Sequence, residues 1–145
     1  MSGYFQKIDE LERIYKQESE LGALKTKLAA PMLTDTAHIP MIIKWIGEIS
    51  PYCRKSGKDN SDFKKMAILI ILYLYSPISL VRGKFETGYR EIIAKELEYS
   101  SSSAVSNHLK SDLIFQYKNI SDFKERVETT YAEIIKRLKE KQIIS

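Results

Sequence analysis

The side chains best placed to do chemistry lie in one run, Ser100 to Lys110, where four consecutive serines lead into Ala104, Val105, Ser106, Asn107, His108, Leu109 and Lys110. Val105 and Leu109 stand four apart, so on a helix they share an inward face and leave Ser103, Ser106, Asn107 and Lys110 outward. Hydroxyls and a carboxamide both donate and accept hydrogen bonds, and a lysine pairs with phosphate. All of these side chains are short or slender enough to enter the major groove of DNA without filling it. His108 fits either that groove or the edge of the core. The chemistry these residues offer is recognition. Covalent or metal-assisted catalysis has almost no material, because the chain holds one cysteine, Cys53, and two histidines, His38 and His108, whereas a zinc site takes three or four such ligands. No catalytic residue, metal site or cofactor is expected, and the chain reads as a binding protein, not an enzyme.

A groove-reading element needs cations beside it, and the charge distribution supplies them. The net charge is +4, but residues 51–85 hold seven Lys and Arg against two Asp and Glu, whereas residues 86–112 hold three against five. Arg54, Lys55, Lys58, Lys64, Arg82 and Lys84 therefore become candidate phosphate contacts, since neutralising phosphates releases counterions and supplies most non-specific affinity. A solvated loop that keeps the protein dispersed has the same composition.

The elements that position these residues follow from periodicity. Residues 89–97 place Ile92, Ile93 and Leu97 on one face, with Ala94 small enough for a close helix approach. The serine run then makes a tight polar turn into a second helix. Together they form a helix-turn-helix pattern, which an ordinary helical hairpin would also satisfy. Upstream, residues 4–29 read as a helix with Tyr4, Ile8, Leu11 and Tyr15 in one stripe, and Leu21, Leu24 and Leu28 continuing it with shifted phase. Pro31 ends it and residues 30–36 read as a linker. A helix over 37–50 turns Met41, Ile42, Trp45, Ile46 and Ile49 inward. Pro51 to Lys65 reads as a basic loop, and Ser61-Asp62 as the cap of a central helix over 63–75. Met66 to Val81 carries no charge in 16 residues; it is too short for a membrane span of roughly 20 residues and is interrupted by Pro77. Burial among other helices is the expectation. Ser76 to Thr87 reads as a connector. The second helix of the motif runs on to Asn119, and a last helix carries Phe123, Val127, Tyr131, Ile134 and Leu138.

The expected fold is thus all-α: a compact helical domain over 37–142 containing a helix-turn-helix, and an N-terminal helical arm over 1–30. The lone Cys53 fits a reducing compartment, and no apolar leader is visible before Asp9, so a cytoplasmic location is expected.

A resemblance sharpens this reading. Many helix-turn-helix sequences place a branched residue seven after the leucine that follows the alanine, but here Val105 lies eight after Leu97, one residue further. That longer turn, with the stretches CRKSGKDNSDFKKMAILIILYL, IIAKELEYSSSSAVSNHLK and ISDFKERVETTYAEIIKRLK in order over residues 40–142, resembles the DNA-binding domain of the bacterial replication initiator DnaA and the Trp-repressor-like group. The resemblance implies that Arg54, Lys55 and Lys58 form a phosphate-gripping basic loop and that Ser101, Ser102, Ser103, Asn107 and His108 read the major groove. The family's turn is rich in glycine and enters an Asp-His-Thr-Thr signature; this chain has Glu98-Tyr99 and then serine and alanine.

Two functions follow as expectations. One is a protein that binds double-stranded DNA, a regulator or accessory factor of a bacterium, phage or mobile element acting in transcription regulation or a related process. Its helix over residues 4–28 would mediate a homodimer or engage a protein partner. The other is a helical structural or interaction protein, such as a virion component, adaptor or packaging subunit, that does not bind DNA. No membrane partner is expected in either.

Overall fold

The computed structural model describes residues 5–50, 58–86, 88–99, 101–111 and 113–145, with those at 58–60, 102, 108, 110, 111 and 115 described through their backbone alone. Every regular element among them is helical: α1 (Gln6–Ala29), a 3-10 turn (Thr36–His38), α2 (Ile39–Ile49), α3 (Lys58–Tyr75), α4 (Pro77–Arg82), α5 (Tyr89–Glu96), α6 (Ser102–Ser111), α7 (Leu113–Asn119) and α8 (Ser121–Glu140). The all-α expectation holds. The chain divides into two units, Met1–Ala30 and Pro31–Ser145.

In the first unit, α1 is a continuous 24-residue helix with no buried residue. Phe5, Ile8, Leu11, Ile14, Tyr15, Leu21, Leu24 and Leu28 are all exposed.

The second unit is built around α3. Met66 to Leu72, Leu74 and Tyr75 are buried, as the uncharged stretch requires, and α2, α4 and α8 pack against it. The burial is not complete on all sides, because Tyr73 is 53% and Val81 81% exposed. α2 contributes Ile42, Trp45 and Ile46 to the core, and Ile39 and Ile43 join them. From α8 come Phe123, Val127, Ile134 and Leu138. Thr130 of α8, polar and buried, is satisfied by a hydroxyl–hydroxyl bond of 3.0 Å with Ser50 at the end of α2. Arg126 ties α8 to Asp62 of α3 at 3.6 Å, and Arg137 reaches Glu48 of α2 at 3.9 Å.

Three expectations change. The segment expected to link the helices is partly packed: Leu33 is buried, and the backbone N–H groups of Met32 and Leu33 both donate to the Leu74 carbonyl at the end of α3. α3 begins at Lys58, so Ser61 and Asp62 lie inside it and not at its cap. The connector after Ser76 contains a helix, α4, because Pro77 at its first turn is preset for helical φ and Gly83, at φ 70°, closes it in the left-handed conformation.

Candidate nucleic-acid interface

α5 and α6 pack against each other, and the apolar residues that hold them are those the periodicity selects: Ile93, Ala94 and Leu97 before the turn, Val105 and Leu109 after it, all buried. The turn itself is built by backbone hydrogen bonding. Tyr99 N–H donates to the Ala94 carbonyl at 2.9 Å and Glu98 N–H to the Lys95 carbonyl at 3.2 Å. These two bonds form the Schellman closure, whose left-handed residue is usually glycine. Here that residue is Glu98, at φ 58°. The Ala104 N–H then points to the Ser101 hydroxyl oxygen at 3.4 Å, a weak cap on the first turn of α6.

Ser101, Ser103 and Asn107 are exposed, whereas Ser106, expected to point outward, is half-buried. Ser102, His108 and Lys110 lie in the same helix, but only their backbone is described. Among the candidate cations, Lys64 is brought to this element: its ammonium stands 4.5 Å from the centre of the Tyr99 ring, in the turn between α5 and α6. Its neighbour Lys65 points elsewhere, donating to the Gln116 side chain of α7 at 3.4 Å. Arg82 and Lys84 are exposed and border a shallow depression shared with Glu86 and Tyr89, at the start of α5. Lys58 opens α3, described through its backbone, and Arg54, Lys55 and Cys53 lie outside the described residues.

Family models, curated proteins and solved structures give no match to this chain.

Tyr99 is the residue in this region that periodicity did not single out. It lies outside both helical repeats, and only the fold shows it connecting the turn to α3. Burial raises its phenol well above the ordinary value, so it is a neutral ring under the Lys64 cation at physiological pH. Acidic groups also border the region, with Glu86, Glu91 and Glu98 exposed along α5 and its ends. Among the described residues no group of three or more His, Cys, Asp or Glu is placed to hold a metal ion, and no helix is long and apolar enough to cross a membrane.

Proposed function

We propose that this chain binds double-stranded DNA, with α5 and α6 acting as a helix-turn-helix and α6 lying in the major groove, in the service of a regulator or accessory factor of a bacterium, phage or mobile element. The observation that carries this reading is the division of α6. Val105 and Leu109 are buried against the core while Ser101, Ser103 and Asn107 stand exposed, so the helix offers a short polar edge, and the turn before it carries the Lys64 cation over Tyr99. Short donors and acceptors on a helix are what base edges need, and Lys64 with Arg54, Lys55 and Lys58 would supply the phosphate contacts. The resemblance to the DnaA DNA-binding domain supports the same division of labour. The chain acts in this reading by binding, without a cofactor, from the cytoplasm.

Fluorescence anisotropy of the full chain against a mixture of random 30-base-pair duplexes tests the proposal at two salt concentrations. Binding should weaken steeply with salt, by about one unit of log–log slope per phosphate contacted. Absence of salt-sensitive binding would sink the reading.

A second reading has its own observation. The seven exposed large apolar side chains of α1, with Phe5 just before it, are those of a helix that docks on another surface. A helical interaction or structural protein without DNA binding would use that helix alone, whereas a DNA-binding protein would use it to join two copies or to engage a partner.

A further inference from the structure

Away from α5 and α6, the Pro31–Ser145 unit has an open cleft between α3, α4, α7 and α8, with a volume of about 480 Å³. Its floor is the buried core itself: Leu69, Ile70, Leu80 and Val127. Its lip holds the most exposed apolar side chains of the central helix and of α4, Tyr73 and Val81. One wall is preformed, because the Tyr73 and Tyr131 rings stand edge to face at 5.2 Å and 84°. An apolar floor with a few polar groups at the mouth is the usual form of a small-molecule site, and the volume lies in the usual range.

The mouth selects a charge. Glu128 is already engaged: it accepts from the Tyr117 hydroxyl at 3.2 Å and stands 3.9 Å from the Lys124 ammonium. Lys118, exposed on the same rim, has no ion-pair partner among the described residues. Of the two charged side chains that line the cleft, one of each sign, Lys118 is the one without an ion-pair partner among the described residues. Tyr117 already gives its one proton to Glu128, so the Tyr131 hydroxyl, protonated at neutral pH and raised further by burial, is the phenol of the lining with a proton left to donate.

We propose that this cleft binds a small aromatic monoanion, its ring against the Tyr73–Tyr131 wall and its charge at Lys118. The site is separate from α5 and α6, and the inference stands or falls independently of DNA binding.

Calorimetric titration of the full chain with 2-naphthoate, and with its neutral isostere 2-naphthamide, tests it. The expected result is saturable 1:1 binding of naphthoate with a dissociation constant below about 1 mM, and binding of the amide at least about threefold weaker. Lys118→Glu should remove that difference by weakening naphthoate alone. Tyr73→Ala should weaken both about fivefold or more. Both side chains are exposed, and a thermal melt confirms that each variant is folded. No saturable binding of naphthoate overturns the proposal. So does equal binding of acid and amide that neither variant changes, since that is unspecific apolar adsorption. Sedimentation of the same samples gives the third decisive outcome: if Tyr73→Ala converts an oligomer to a monomer and naphthoate does not bind, the cleft is an interface with a second copy.

Discussion

Asn107 carries the one carboxamide on α6, and it is exposed while Val105 and Leu109, on either side of it, are buried. A carboxamide can pair with both N6 and N7 of adenine, whereas a lysine on phosphate carries no base information. The two kinds of contact therefore separate by experiment. Asn107→Ala should cost roughly 1–3 kcal/mol on a selected site and almost nothing on random duplex, whereas Lys64→Gln or Lys55→Gln should weaken every duplex alike and lower the salt slope by about one unit. Competition binding at two salt concentrations measures both, and equal losses on selected and random duplex for Asn107→Ala would remove base reading from α6. A different residue contributes to the pH dependence of stability at the alkaline end. The Tyr75 hydroxyl donates to the Asp35 carbonyl at 2.7 Å, and burial, then the Asp35 carboxylate and Tyr89, hold its phenol well above the ordinary value. The folded state thus favours the neutral phenol, so this stabilisation is complete below the unfolded value of about 10 and is lost as pH rises beyond it. Tyr75→Phe should lower stability by about 1 kcal/mol at neutral pH and flatten the loss above pH 10, as measured by urea melts across that range. At this scale the sequence carried much of the site: the outward and inward residues of α6 follow from four-residue spacing. Tyr99 under Lys64 could not be read, because it depends on α3 meeting a turn about 35 residues further along the chain.

Inward faces set by periodicity were legible, and features set by packing between helices were not. The inward stripe of Phe123, Val127, Ile134 and Leu138 in α8 follows from periodicity alone. Thr130, buried in the same helix, does not, since its burial depends on Ser50 reaching it from α2. α4 was hidden for another reason: at six residues it is too short to show a period, although Pro77 and Gly83 mark both of its ends. The closure of α5 gives the sharpest case. Glu98 adopts a left-handed backbone, at φ 58°, in the position where the Schellman motif favours glycine. A side chain there is strained, and glycine relieves the strain at some cost in unfolded-state entropy. Glu98→Gly should raise stability by about 0.5–1 kcal/mol in urea melts. It should also strengthen DNA binding slightly by removing an exposed negative charge from the end of α5. A destabilised variant would mean that the Glu98 side chain contributes more than its backbone costs.

The whole molecule poses a question of independence, and the two units answer it differently. The Pro31–Ser145 unit has its own core, to which every helix from α2 to α8 contributes, and its first residues are held because Met32 and Leu33 donate to Leu74. A fragment starting at Pro31 keeps those bonds and should unfold cooperatively as a monomer. One starting at Ile39 discards Leu33 and the Tyr75–Asp35 bond and should be less stable by a few kcal/mol. α1 is different: a 24-residue helix with no buried side chain is only marginally stable in water unless its apolar stripe is covered. Its expected role is to join copies or hold a partner. Deleting residues 1–30 should then leave the fold intact, reduce the mass measured by sedimentation to that of one chain, and weaken DNA binding by far more than the loss of any single contact, because two linked units bind with a high effective concentration. If the fragment fails to fold at any concentration, α1 belongs to the core of the protein and the division at Ala30 is not a division of stability. If it folds and binds DNA as tightly as the full chain, α1 serves a partner other than a second copy.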